Sequence, residues 1–132
     1  MEKVFNKGFT LIELLAVIIV LGIIVFLIFP NVSKTIEESR EKAYARQISI
    51  LEQAAQKYVK ENIDKVSTEQ NTCISIDTLI SSGYIAAKDK DNEGNYVVLN
   101  PKTDEPLSGV VQVKYDEEYK QYEYEYNSSC NN

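Results

Sequence analysis

At 132 residues, with a net charge of −6 and neither histidine nor tryptophan, the chain has room for one domain of ordinary size. Setting aside an apolar stretch of about twenty residues near the start leaves roughly one hundred for a soluble part, enough for a modest core but not for a roomy enzyme. The acidic balance makes nucleic acid or an anionic membrane surface a poor match for the bulk of the domain, although lysines from Lys34 to Lys120 leave room for a local basic patch.

The apolar stretch runs from Phe9 to Phe29, about 21 residues, and as a helix rising about 1.5 Å per residue it spans roughly 30 Å, the thickness of a bilayer's hydrocarbon core. Lys3 and Lys7 precede it, so the positive-inside rule keeps the N-terminus in the cytoplasm and sends the rest outward. A secretory signal peptide fits badly. The run is too long, no A-x-A site follows, and the next residues are Pro30, Asn31 and a charged helical pattern. No cysteine near the start supports a lipoprotein anchor. Glu13 is the unusual residue, because a carboxylate in a membrane segment costs on the order of a few kcal/mol and calls for a partner. In a plain single-pass anchor it would snorkel to the interface. If the leader were cut after Gly8, Phe9 would carry a new α-ammonium, and a neighbouring subunit's ammonium could pair with Glu13 where the dielectric is low.

The run Gly8-Phe9-Thr10-Leu11-Ile12-Glu13-Leu14-Leu15 resembles the class III signal sequence of type IV pilins and the related pseudopilins, closely over residues 7–30 and loosely beyond. The resemblance implies a prepilin peptidase that cuts after Gly8 and methylates Phe9, and a role for Glu13 in assembly. It also places Gly22 and Pro30 where many pilins carry a glycine and a proline, flanking a helical segment that can unwind in the filament. The physics agrees, since glycine lowers helix stability and proline removes a backbone hydrogen bond.

Past Pro30 the pattern turns amphipathic. Tyr44, Ile48, Leu51, Ala55, Tyr58, Val59 and Val66 recur at three- and four-residue spacing, and a solvated face of Glu37, Glu38, Arg40, Glu41, Lys42, Arg46, Glu52, Lys57, Lys60 and Glu61 lies between them. This predicts one long helix, straight or bent, from about Thr10 to about Val66, ended by the polar run of residues 67–72. Residues 75–85 read as a short helix capped by Ser75 or Asp77 and terminated by Gly83. A short helix followed by Gly-Tyr-Ile also resembles pseudopilins and pilins of Gram-positive bacteria. Three strands are predicted to follow, at residues 96–99, 110–115 and 122–126, forming an antiparallel meander against the helix with Tyr122, Tyr124 and Tyr126 on its core face. The fold class is therefore α+β, a long N-terminal helix packed on a small antiparallel sheet. Its organisation reads as a leader over 1–8, a membrane and filament-core helix over 9–30, and an extracytoplasmic globular domain over 31–132 that includes the amphipathic half of the helix.

Cys73 and Cys130 both fall on the outer side, and a disulfide between them is expected, with two free thiols as the alternative in a cell without extracytoplasmic oxidation. Such a bond would be similar to the C-terminal staple of many pilins. Asp89, Asp91 and Glu93 have the opening spacing of a calcium loop, and some major pseudopilins bind calcium. The twelfth position is Asn100 rather than glutamate and no helices flank the run, so an acidic turn is the preferred reading and no metal or other cofactor is expected.

No catalytic constellation is visible: there is no histidine, no glycine-rich phosphate loop, and no serine or cysteine beside a base. The chain reads as the substrate of an enzyme rather than an enzyme. The expected partners are other copies of the subunit in a homopolymer, the prepilin peptidase, an inner-membrane assembly platform, and membrane lipid before assembly; nucleic acid is not expected. The leading functional reading is a pilin that leaves the membrane for an extracellular type IV pilus on the cell surface. The alternatives are a pseudopilin of a type II secretion or competence DNA-uptake system, and a membrane-anchored binding module that never polymerises.

Overall fold

The computed structural model describes residues 8–131. The predicted leader, with Lys3 and Lys7, lies outside the described residues except for Gly8. The chain divides into two compact units, one through Glu38 and the other from Ser39 onward.

Helix α1 covers Leu11–Glu61. Within the first unit its apolar side chains are exposed along the whole run, and the segment is long and apolar enough to cross a membrane. Pro30 lies inside the helix, so in this single chain the stretch from Gly22 to Pro30 is helical.

In the second unit the amphipathic stripe supplies the core. Leu51, Ala55 and Val59 of α1 are fully buried against Ile74, Leu79, Ile85, Val98, Val111 and Val113, with Ile48 and Tyr58 packed at the margin. The helix stops at Glu61, five residues short of the predicted end. Asn62 is the cause: its side-chain Nδ2 donates to the Tyr58 carbonyl at 3.0 Å, and its backbone leaves the helical region, so Ile63–Lys65 continue only as a 3-10 turn.

A second helix, α2, covers Ile76–Ser81. Of the two candidate caps it uses Ser75, whose Oγ accepts the Thr78 N–H at 3.1 Å, and Asp77 sits in the first turn. Gly83, at φ +80°, ends this segment as expected, since a side chain there would strain the left-handed backbone.

The sheet departs from the predicted meander. Its three antiparallel strands are β1 (Thr72–Ser75), β4 (Val110–Asp116) and β5 (Gln121–Asn127), in the order β1-β4-β5. The predicted strand over residues 96–99 does not join it. Only Tyr96–Val97 is strand, β3, and it pairs with β2 (Asp89–Lys90) in a separate hairpin. Beyond it the chain bonds to the returning loop instead: Leu107 N–H donates to Val98 O at 2.7 Å and Asn100 N–H to Glu105 O at 2.8 Å. The vacant place beside β4 is taken by Thr72–Ser75, with buried Ile74 opposite buried Val111.

Tyr122, Tyr124 and Tyr126 of β5 share the core face, as predicted, and pack on the apolar cluster. Glu52 Oε1 accepts the Tyr126 N–H at 3.3 Å, which ties this edge strand to α1, and Tyr126 Oη donates to Ser108 O at 2.6 Å. Tyr84 Oη donates to the Glu61 carboxylate, and its ring meets Tyr58 edge-on with centroids 5.4 Å apart.

These contacts have an alkaline signature. The bond to Glu61, then burial, raises the Tyr84 phenol above its ordinary pKa, and burial raises Tyr124 and Tyr126. In the unfolded chain these phenols ionise near pH ~10, before they do so in the fold. The stability they contribute is complete below that pH and is lost as pH rises through the folded-state values. We therefore expect the melting temperature of the full chain to be flat up to about pH 9 and to fall above about pH 10. Tyr84→Phe should flatten part of that fall in circular dichroism melts.

Candidate assembly site

Gly8 and Phe9 precede α1 outside any regular element and are exposed, Phe9 to 85%. Thr10 then caps the helix. Its Oγ1 accepts the Glu13 N–H at 3.2 Å, and its carbonyl accepts the Leu14 N–H at 3.1 Å. Thr10-Leu11-Ile12-Glu13 thus carries the threonine and glutamate spacing of a capping box, a signal that hydropathy reading passes over because the whole run is apolar. The cap leaves Glu13 with its backbone satisfied and its carboxylate free. Among the described residues that carboxylate has neither a hydrogen bond nor an ion pair.

Glu13 shares one helix face with Ala16, Val17, Val20 and Leu21, which line a shallow apolar groove. A negative charge at the first turn is favoured by the helix dipole, but no cationic side chain among the described residues lines the groove beside it. The site is thus a carboxylate with no partner among the described residues, set at the edge of an apolar surface. Gly22 lies farther along the same helix with Val25, Phe26, Phe29 and Pro30 around a second apolar hollow, and open space surrounds the position a Gly22 side chain would occupy.

The remaining candidates sit in the second unit, in two separate places. Cys73 of β1 is bonded to Cys130 in the tail after β5, with Cα atoms 5.9 Å apart. Asp89, Asp91 and Glu93 fall on the β2–β3 hairpin, where Asp91 closes the turn. Its Oδ1 accepts the N–H groups of Glu93 and Asn95 at 2.9 and 2.8 Å, and its Oδ2 accepts Asn95 Nδ2 at 3.1 Å. The bonds from Asn95 hold the Asp91 carboxyl below its usual pKa. Both oxygens are thus engaged by the turn itself, and among the described residues no group of three or more acidic or cysteine side chains is placed to hold a metal ion.

Residues 5–29 match the family described as the prokaryotic N-terminal methylation motif. Over 115 residues the chain is 31% identical to the type II secretion system core protein G of Aeromonas hydrophila, an alignment covering 76% of this chain and 78% of that protein. It is 30% identical over 106 residues to the protein of the same name from Escherichia coli strain K12, covering 73% of each. No solved structure matches significantly.

Proposed function

This chain belongs to the family of type II secretion system core protein G, and on that premise we propose that it is a pseudopilin, a structural subunit matured after Gly8 and polymerised through its apolar helix in a secretion-type envelope assembly. Of the readings open to the sequence, the relatives favour this one over the long surface pilus placed first. The observation that carries the mechanism is the Glu13 carboxylate, without a partner among the described residues, at the head of an exposed, membrane-length apolar helix.

The steps follow from the residues. The exposed backbone at Gly8 and Phe9 gives a membrane peptidase access to the scissile bond, and cleavage there creates an α-ammonium on Phe9. The cation pairs with a neighbour's Glu13 on this reading, because N–H groups of a helix's own first turn compete with its own ammonium for the carboxylate. The pair forms among apolar helices, where attraction between charges is strong, and it sets the axial register. Side chains from Leu11 to Phe29 exchange lipid for helix contacts, while the second unit faces water. Gly22 and Pro30 would ease local unwinding if packing required it.

The test is intact mass and N-terminal sequence of the chain from sheared and cell-envelope fractions. A chain starting at methylated Phe9 and retained in a multimeric envelope fraction is the expected result. Long sheared filaments of the same matured chain would move the assignment to a surface pilus. A chain uncut at Gly8 in cells with active prepilin peptidase would overturn both and leave an anchor.

A further inference from the structure

The solvated face of α1 is not evenly charged. From Ser39 to its end the helix carries three carboxylates, and each is engaged within the domain: Glu41 pairs with Lys102 Nζ at 3.3 Å, Glu52 accepts the Tyr126 N–H, and Glu61 accepts the Tyr84 hydroxyl. Arg40 is engaged as well, donating to Lys102 O and Asp104 Oδ2, each at 3.1 Å. The cations that remain, Lys42, Arg46, Lys57 and Lys60, are all exposed and form no ion pair among the described residues. At about 100° per residue they fall within roughly 60° of one another on the helix, so over Ser39–Glu61 they make one stripe with no free carboxylate on it. Ile50 lies at the margin of this stripe and is 50% exposed.

The opposite charge collects at the β4–β5 turn. Glu117 and Glu118 are exposed there, Tyr119 beside them is 68% exposed, and Glu123 and Glu125 continue along the outer face of β5. The tip is built rather than loose. Asp116 Oδ1 accepts the N–H groups of Glu118 and Tyr119 at 2.8 and 3.0 Å, and Lys120 takes the left-handed conformation that closes the turn. About 17 Å of strand separate Gln121 from Tyr126, where Glu52 ties β5 to the helix, so the tip stands well away from that anchor.

We propose that the stripe Lys42, Arg46, Lys57 and Lys60 docks the β4–β5 tip of a second copy of this chain, with the ring of Tyr119 against Ile50 and Glu117 and Glu118 against the cations. The inference rests on the polymer reading above and adds the soluble-domain contact to it. With one tip engaged per neighbour the contact is heterologous, and under a rotation that does not close it repeats along a filament. A preformed turn limits the ordering cost of docking, and an exposed tyrosine flanked by charge suits the centre of an interface. An anionic lipid surface or a nucleic acid would meet the cations but leave Ile50 and Tyr119 without a role.

The test uses the full chain in cells with its assembly machinery. Arg46→Glu with Lys57→Glu reverses the stripe, and Glu117→Lys with Glu118→Lys reverses the tip. Each double variant should lower polymer about tenfold with maturation unchanged, and combining them should restore it to within about threefold of the parent. A photo-crosslinking amino acid in place of Tyr119 should join residues 46–57 of another copy. Crosslinks without polymer uphold the contact and sink the polymer reading; polymer without these crosslinks, or without rescue in the combined variant, overturns the contact alone. Absence of both overturns both. If reversing the stripe lowers retention on anionic vesicles or duplex DNA while reversing the tip changes nothing, the stripe serves a phosphate surface and the proposal fails.

Discussion

Replacing Glu13 with alanine should leave maturation after Gly8 intact and lower the yield of polymer at least tenfold. The two effects separate because Glu13 has different surroundings before and after assembly. In the stored subunit its carboxylate has no partner among the described residues and lies beside a groove of Ala16, Val17, Val20 and Leu21, so removing the charge makes residence in lipid easier. In the polymer proposed above the same carboxylate would answer a neighbour's Phe9 ammonium, and deleting one member of a buried pair costs about 3–5 kcal/mol because the other charge is left uncompensated. That is more than a hundredfold in a single contact, and a polymer repeats it at every subunit. Glu13→Gln keeps the shape and hydrogen-bonding capacity while losing the charge, so it should fail nearly as badly as alanine if charge pairing sets register. Thr10 keeps the helix capped in both variants, since the bond it accepts comes from the backbone of residue 13. The measurement is the ratio of polymer to matured subunit, with N-terminal sequencing to confirm cleavage. Parental polymer yield from either variant would remove ion pairing from the mechanism.

What could be read in advance follows from how far apart the causes lie in the chain. The apolar run, the amphipathic stripe through Leu51, Ala55 and Val59, and the alternating tyrosines of β5 are local periodicities, and each became the predicted element. The cap at Ser75 and the stop at Gly83 depend on single side chains with known backbone preferences. The neighbours in the sheet do not. Thr72–Ser75 has one large apolar residue and reads as loop, and only its pairing with β4 makes it a strand. Tyr96–Leu99 has the composition of a strand but is drawn away by the returning chain at Glu105 and Leu107. Tertiary pairing overrode local propensity in both directions. The candidate assembly site was legible by type and position, because an isolated carboxylate in a membrane-length helix stands out. The pairing state of the charges on α1 was not, since Glu41, Glu52 and Glu61 find their partners on other elements.

Removing the disulfide, by Cys73→Ser with Cys130→Ser, should destabilise the soluble domain by about 2–4 kcal/mol and lower its melting temperature by roughly 10–20 °C. The bond closes a loop with a sequence separation of 57, for which the chain-entropy model gives about 4 kcal/mol, and measured effects usually fall at or below that figure. The loss should be unevenly spread. β1 has four residues and, among the described residues, pairs only with β4 as an edge strand. Its hold on the sheet is shared between Ile74 in the core and the bond at Cys73. On the far side of that bond, Asn131 O accepts Gln112 Nε2 at 2.7 Å and Asn71 Nδ2 at 3.4 Å, so the tail also bridges β4 and the loop before β1. Without the bond these exposed contacts are too weak to hold the tail, and β1 should open before the rest of the sheet. Hydrogen exchange in the serine variant should therefore accelerate most at residues 72–75 and 128–131, and least at Val111, Val113 and the α1 core. Equal acceleration across all three strands would mean that the bond acts on the unfolded chain alone and that β1 does not depend on it.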